Sequence, residues 1–341
     1  MLSPRKVEPI DLVYTWFNSS DFSQVAARAA FAERANGQED EYASGDARFA
    51  DNGELSYSIP NACKYLPFVR NIFVVCGGLP PPWLKDNPRV TIIDVEAIVP
   101  PDVHPTYQSD VIESFLYKIP GLSERYLYSN DDMFFAKVHE AADFFSDDGK
   151  IILGLSKRYV GLGTIEAVFR SREINAARAL NRKLTLKPSK SVGNDGIRIF
   201  ARRFRGMAEA YKRSIPLLNT MTHVTQPFVK SKWNDFHKLF EPEVNELIAE
   251  KFRTAGGYPV NTMYHHYMRS IDLAELIFDP SHIYFDRRGT AQARQNFLDA
   301  ISDPEGPVTR FCLNDAPGCA DDGWKEYIDM LLTSLESSST D

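Results

Sequence analysis

Two adjacent carboxylates, Asp131 and Asp132, interrupt an apolar run at residues 126–135 of the chain. Burying such a pair without a partner costs too much free energy, so a pair between apolar segments usually faces a cation or a polar site. Magnesium takes oxygen ligands from one or two protein carboxylates and completes its coordination with water and phosphate oxygens. The pair therefore indicates metal-assisted phosphate chemistry. A solvated turn after a strand is the alternative, because Asn130 and the two aspartates favour turns.

Composition limits the class of protein. The 341 residues are 43% hydrophobic and 25% charged, which is typical of a globular protein with a sizeable core. The formal net charge of -7 argues against a broad nucleic-acid surface, so we expect no nucleic-acid partner. The chain shows no apolar signal segment and no bilayer-length apolar run, so we expect a cytoplasmic protein. The cysteine spacing does not resemble a zinc site, although Cys312 and Cys319 are near enough in sequence to pair.

The elements that must position the acidic pair alternate between strands and helices. Periodicity predicts helices after Glu54 and over 109–118. Strands are predicted at 10–16, 70–76, 90–95 and 125–129. This alternation indicates an α/β fold with a mostly parallel sheet flanked by helices, whose ligands bind beyond the carboxyl ends of the strands. The turns at Asn18, Gly77 and Asn130 should then converge on one crevice.

The second half of the chain has a looser pattern. It predicts strands at 151–155 and 196–200, and helices at 201–213, 242–252 and 273–278. Basic residues gather there, which indicates either a solvated helix face or a surface for an anionic acceptor or membrane headgroups. These basic residues are Lys183, Lys187, Lys190, Arg202, Arg203, Arg205, Lys212 and Arg213.

Several motifs in order along the chain resemble the conserved blocks of the Stealth proteins. The first two blocks are matched by 11–16 (DLVYTW), 48–58 (RFADNGELSYS), 68–75 (FVRNIFVV), 82–84 (PWL), 105–107 (PTY), 112–114 (IES), 119–123 (IPGLS) and the 130–132 cluster (NDD). The third block corresponds to Thr222 and His223 through Arg253, with Val224 to Pro227 departing from the expected pattern, and the fourth to 310–315 (RFCLND).

The resemblance implies a fold and an activity. Stealth proteins include bacterial capsular polysaccharide phosphotransferases, and their core is similar to a glycosyltransferase-A fold. The chain is accordingly expected to form one catalytic domain over 1–341: a nucleotide-sugar part at 1–140, an acceptor-side part with a helical insertion at 141–300, and a segment at 301–341 that completes the site. The expected reaction transfers hexose-1-phosphate or N-acetylhexosamine-1-phosphate from a UDP-sugar to a saccharide hydroxyl, and releases UMP.

Candidate metal ligands follow from this reaction. Asp131 and Asp132 could hold Mg²⁺ or Mn²⁺, with Asn314 and Asp315 brought from the far end of the chain to complete the site. Without the family, the Asn314 and Asp315 pair would equally suit a turn before Pro317. We expect the enzyme to work at the inner face of the membrane, in peripheral association with it. The sequence does not indicate the oligomeric state.

Each candidate catalytic residue has more than one possible role. His223 could take the acceptor proton, because imidazole titrates near working pH, whereas Asp131 or Asp132 could serve instead while His223 donates to a phosphate oxygen. Arg253 could stabilise the transferring phosphoryl group through bidentate contacts, or simply end a surface helix.

Candidate substrate-binding residues lie in the first two blocks. Tyr14 or Trp16 could stack on uracil or belong to the core, and Asn18 ends the same predicted strand. Arg48 belongs to the second block, and Asp51 and Asn52 could bind the donor sugar or cap the helix that follows. Two other functions are alternatives to sugar-phosphate transfer: that of a glycosyltransferase that releases UDP, and that of a noncatalytic glycan-binding protein.

Overall fold

The computed structural model describes residues 8–34, 49, 51–162, 166–186, 208, 210–211, 216, 218–286, 288–314 and 323–337. Its strands are β1 Ile10–Phe17, β2 Val69–Gly77, β3 Val90–Asp94, β4 Arg125–Asn130, β5 Met133–Phe135, β6 Ile151–Tyr159, β7 Asn219–Met221, β8 Gln226–Val229, β9 Ala274–Phe278, β10 His282–Asp286 and β11 Arg310–Asn314.

Helices alternate with these strands. They are α1 Phe22–Arg34, α2 Glu54–Tyr65, α3 Pro82–Lys85, α4 Ser109–Glu113, α5 Ala167–Lys183, α6 Lys232–Leu239, α7 Glu241–Ala249, α8 Val260–Ser270, α9 Ala291–Ser302 and α10 Trp324–Ser337. Short 3₁₀ turns occur at Val95–Ala97, Pro101–Val103, Leu116–Lys118 and Ala141–Asp143. None of the helices in the described part of the chain is both long and apolar enough to cross a membrane.

The main sheet has the strand order β3-β2-β1-β4-β8. Strands β1 to β4 run parallel, and β8 is antiparallel to β4. The carboxyl ends of β1 and β4 lie side by side, with Thr15 opposite Asn130. This is where the strand order reverses, and such a point opens a crevice for ligands. The predicted α/β fold with a mostly parallel sheet is confirmed.

Two smaller sheets extend the fold. Strand β11 lies between β10, which is parallel to it, and β5, which is antiparallel. Strand β6 lies between antiparallel β7 and parallel β9. The second half of the chain therefore combines helices with strands.

One predicted helix is wrong. Residues 273–278 were expected to be helical, but Ala274–Phe278 forms strand β9, whose Ala274 lies opposite Ile151 of β6. Side-chain exposure alternates along β9, as it does in a strand with one covered face. A short apolar run fits either period, and pairing with β6 decides the outcome because it satisfies the backbone hydrogen bonds.

Asp11 of the first motif anchors the main sheet from its amino-terminal side. Its buried carboxylate accepts hydrogen bonds from the Arg70 guanidinium, at 2.9 and 2.6 Å, and from the backbone N–H of Ser123 at 2.7 Å. Charge-assisted hydrogen bonds of this kind compensate for the burial of an ionised group. Asp11 thus joins β1 to β2 and to the segment that leads into β4, at the opposite end of the strand from the crevice.

Candidate functional site

Two neighbouring cavities open at the carboxyl ends of the parallel strands. The smaller, about 260 Å³, is lined by the ends of β1 and β2, including Trp16 and Gly77, and by the acidic turn after β4. The larger, about 670 Å³, lies beside β7, β8 and α8. Both cavities are lined by Ser109, Asn130, Asp132, Arg253 and Asn314. A ligand that spans the two cavities would cross this shared boundary.

Strand β11 carries Asn314 to the acidic turn. Met133 of β5 lies opposite Cys312 of β11, and the Leu313 N–H donates to the Asp132 carbonyl at 2.9 Å. The Cys312 thiol lies 3.4 Å from the Asp132 carboxylate. The expected meeting of the middle and the end of the chain therefore occurs for Asp132 and Asn314.

A carboxylate cluster adjoins the smaller cavity, whose lining includes Glu54 and Asp131. Oxygen atoms of Asp51, Glu54 and Asp131 all lie within 4.8 Å of one another. Burial raises the pKa of Asp131 well above its usual range, and the charges of Glu54 and Asp132 add to the effect. Burial also raises the pKa of Glu54. Such crowding of hard oxygen donors suits a divalent cation, which would relieve the repulsion between them.

Helix α2 holds this cluster against the sheet through two polar side chains. Asn61 donates to the Phe135 carbonyl at 2.9 Å and accepts from the Phe135 N–H at 2.8 Å, so its amide pairs with β5 as a neighbouring strand would. The Ser58 hydroxyl donates to the Met133 carbonyl at 3.0 Å. The first turn of α2, which carries Glu54, is thereby fixed beside Asp131.

The segment before α2 does not cap that helix by side chains. Gly53, with a positive φ of 89°, occupies the capping position and makes no side-chain capping bond. Asp51 accepts from the Gly53 N–H at 2.8 Å, and Asn52 donates its side-chain amide to Glu54 at 2.7 Å. Asn52 lines the smaller cavity. The capping alternative for Asp51 and Asn52 is therefore wrong.

Tyr14 and Trp16 point from the same face of β1 but have different surroundings. Tyr14 is 0% exposed, and its hydroxyl lies 3.0 Å from the Ser58 hydroxyl. It is a core residue without access to a ligand, so stacking on uracil is wrong for Tyr14. Trp16, at 8% exposure, lies nearer the end of the strand and, like Phe49, lines the smaller cavity.

Asn18 stabilises a turn. Its side-chain amide donates to the Leu79 carbonyl at 2.8 Å and its oxygen accepts from the Ser20 N–H at 2.9 Å. Asn18 is not among the described residues that line either cavity, so the structure does not support the predicted contact with substrate. Turn geometry favours asparagine for this local bonding, which a sequence pattern does not distinguish from ligand binding.

Arg253 lies at the boundary between the two cavities, and His223 lines the larger cavity. The Arg253 Nε donates to Asp110 at 3.1 Å, and its terminal nitrogen donates to the Ser109 hydroxyl. His223 is exposed, and its ring packs edge-on against Tyr284, with centroids 5.6 Å apart. Among the residues predicted from sequence, Arg48 and Asp315 lie outside the described residues, as do Cys319 and the basic group except Lys183.

Glu113 lies within the 112–114 motif but is not among the candidate site residues predicted from the sequence. It lines the larger cavity, accepts from the Tyr128 hydroxyl at 3.0 Å and from the Asn261 amide at 2.7 Å. Burial, with the neighbouring charge of Asp110, raises the pKa of Glu113 to about 7. A glutamate inside the apolar periodicity of 109–118 was the available signal, because an acid on a buried face needs a reason.

Glu54 was also absent from the predicted ligands. It was counted only as the start of a helix, because a first-turn glutamate ordinarily complements the helix dipole. The docking of α2 on β5 turns it towards Asp131.

Comparisons with known proteins show the relatives of the chain. Residues 48–153 match Stealth protein CR2, conserved region 2. The capsular polysaccharide phosphotransferase cps1A of Actinobacillus pleuropneumoniae is 32% identical over 72% of this chain and 61% of its own length. The exopolysaccharide phosphotransferase CpsY of Mycobacterium leprae is 33% identical over 90% of this chain and 51% of its own length. The chain thus spans roughly half to three fifths of these two relatives.

Among solved structures, the galactosyltransferase LgtC in complex with donor and acceptor sugar analogues aligns with 95% of this chain and 96% of its own, at 11% identity and a TM-score of 0.44.

Proposed function

Because the chain carries conserved region 2 of the Stealth proteins, we propose that it is a sugar-1-phosphate transferase of polysaccharide synthesis. Its phosphotransferase relatives support this class of reaction. The observation that carries the proposal is the boundary at which two cavities share Asp132, Asn314 and Arg253. A reaction between a donor in one cavity and an acceptor in the other would take place there.

The smaller cavity would bind the UDP-sugar. Trp16 and Phe49 offer aromatic faces for the uracil base, near the end of β1. The carboxylates of Asp51, Glu54 and Asp131 would hold Mg²⁺ or Mn²⁺, with Asp132 and Asn314 nearby on the same cavity. The ion would supply positive charge to the diphosphate. The donor set fits such an ion because all its members are hard oxygen atoms.

The larger cavity would bind the saccharide acceptor. Its wall is polar and carries paired charges, such as the Arg158 guanidinium on the Glu173 carboxylate at 2.6 Å. Sugar hydroxyls bind to fixed donors and acceptors of this kind. His223 lines this cavity, so its imidazole would be available to the hydroxyl of an acceptor bound there.

The chain's own residues can be assigned to the transfer. The acceptor oxygen attacks the sugar-bound phosphorus of the diphosphate, and the bond from that phosphorus to the bridging oxygen breaks. UMP leaves with the bridging oxygen, and the acceptor proton passes to Nε2 or Nδ1 of His223. Arg253 donates hydrogen bonds to the phosphoryl oxygens, where negative charge is spread. Glu113, whose pKa is raised to about 7, offers a second proton acceptor on the same cavity.

Product analysis tests the proposal. The protein is incubated with a panel of UDP-sugars and saccharide acceptors, with and without magnesium, and the nucleotides are separated by chromatography. UMP together with a new phosphodiester signal in phosphorus NMR is the expected result. UDP as the nucleotide product would instead indicate a glycosyltransferase. A protein that binds glycan and yields neither nucleotide would be noncatalytic.

A further inference from the structure

Arg172 is a buried arginine outside the residues assigned to the reaction. It lies on α5, and its side chain is 2% exposed. Its guanidinium donates to the Asp110 carboxylate at 2.9 Å, to the Tyr258 carbonyl at 2.8 Å and to the Thr254 carbonyl at 3.0 Å. The Glu250 carboxylate lies 3.5 Å away. An arginine buried with so many partners fixes the position of each of them.

The carboxylate of Asp110 is shared between two arginines. Its Oδ2 accepts from Arg172 and, at 3.1 Å, from the Nε of Arg253. Its Oδ1 lies 3.3 Å from the Val260 N–H, which donates to it. Arg253 therefore contacts Asp110 through Nε, and not through the two-nitrogen fork that arginine commonly presents to a carboxylate.

This sharing affects the orientation of Arg253. Because Arg172 bonds Asp110 Oδ2 and also pairs with Glu250 at 3.5 Å, Asp110 accepts from the Nε of Arg253 and not from both of its terminal nitrogens. Arg253 is 20% exposed at the boundary of the two cavities. A one-to-one fork with Asp110 would turn both terminal nitrogens towards the carboxylate and away from a phosphate.

Arg172 also holds the segment that follows Arg253. It bonds the carbonyl oxygens of Thr254 and Tyr258, on either side of Gly257. A Cβ atom at Gly257 would lie 2.4 Å from both the Arg172 guanidinium and the Glu250 carboxylate, so the backbone approaches this ion pair too closely for a side chain. The turn after Arg253 is thus fastened to α5.

We propose that Arg172 is a positioning residue for Arg253: it shares Asp110 and fastens the 254–258 turn, so that the Arg253 guanidinium stays at the boundary of the two cavities, where the transferring phosphate would lie. The proposal rests on the sugar-phosphate transfer proposed above. Although Arg172 also borders the larger cavity, its side chain is 2% exposed, and the proposal predicts that it affects turnover through Arg253.

A double-mutant cycle tests the proposal. Arg172→Gln is measured alone and together with Arg253→Lys, which keeps the charge but lacks the fork. We expect Arg172→Gln to lower kcat about 30-fold in the natural background and less than threefold beside Arg253→Lys, because residues that act through one another are not additive. Equal fold losses in both backgrounds would show a role independent of Arg253 and overturn the proposal.

Two further variants separate positioning from folding. Arg182→Gln changes an arginine on the same helix whose side chain is 60% exposed and paired with Glu243, and it should leave kcat unchanged. If Arg172→Gln does not fold, Arg172→Lys takes its place in the cycle, since one ammonium cannot reach Asp110, Thr254 and Tyr258 together. Melting temperatures measured for every variant identify losses that come from unfolding.

Binding of UDP, measured by calorimetry on the same variants, keeps the two proposals distinguishable. If the natural chain releases no nucleotide, the transfer reaction fails. The positioning role of Arg172 is then tested by UDP binding. It is supported if Arg172→Gln weakens UDP binding when Arg253 is present and not beside Arg253→Lys, and it is overturned otherwise. If UMP is released but the cycle is additive, positioning alone fails.

Discussion

The backbone N–H of Leu313 donates a 2.9 Å hydrogen bond to the carbonyl of Asp132, across 181 positions of sequence. This bond continues the pairing of β11 with β5 up to the acidic turn. Asn314, the next residue, consequently lines the same two cavities as Asp132. Strand β11, from the last part of the chain, thus contributes directly to the candidate active site.

The acidic cluster should bind a divalent cation and be stabilised by it. Mg²⁺ at about 100 times its Kd should add about 2.7 kcal/mol to the free energy of unfolding, because it binds the folded chain. Asp131→Asn should abolish this gain and, without metal, should melt higher than the natural chain, since it removes one of the crowded charges. Differential scanning calorimetry measures both. Asp148→Asn, at an exposed aspartate beside Lys150, is the control, and loss of the magnesium effect there would contradict the assignment.

His223 should be needed for turnover and not for donor binding. His223→Gln should lower kcat about 10²- to 10⁴-fold, which is the usual contribution of a positioned general base. The melting temperature should change little, because the imidazole is exposed. UDP binding by calorimetry should be retained, since the histidine lies on the other cavity. A turnover within threefold of the natural chain would exclude His223 as the base.

Trp16 and Tyr14 should differ in their effect on the donor. Trp16→Leu should raise the Kd for UDP about tenfold, because stacking on a base is worth about 1–3 kcal/mol. Tyr14→Phe should leave that Kd unchanged and cost about 1 kcal/mol of stability through the lost hydrogen bond with Ser58. Fluorescence titration with UDP compares the two variants. A larger effect of Tyr14→Phe on the Kd would overturn the placement of the donor.

Glu113 should make stability depend on pH. Its pKa is raised from 4.5 to about 7, so the folded chain binds more protons than the unfolded chain between these values. Its contribution to stability is therefore full below pH 4.5 and is lost as the pH rises through 7. Glu113→Gln should gain up to about 3 kcal/mol over the natural chain at pH 8 relative to pH 4.5. Urea unfolding at the two pH values measures this, and a difference independent of pH would refute the shift.

The family resemblance and the local pattern located much of the fold. Apolar runs that end at polar turns predicted β1, β2, β3 and β4, because burial and turn chemistry act over a few residues. The same reasoning put the acidic turn at the end of β4. It failed at Ala274–Phe278, where the run is too short to show its period.

The tertiary structure decided which side chains meet. Tyr14 and Trp16 share one face of β1, and only their depth in the sheet separates a core residue from a cavity residue. Glu54 joins Asp131 because Asn61 and Ser58 fix α2 on β5.

Sequence by itself predicted β1 to β4 and the acidic turn at Asp132, because burial and turn chemistry act over a few residues, and its resemblance to the Stealth proteins singled out His223, Arg253 and Asn314. Only the tertiary structure decided that Glu54 and Glu113 face the cavities and that Arg172 shares Asp110 with Arg253. These relationships depend on strand register and helix docking, which are set by many contacts between parts of the chain that are distant in sequence.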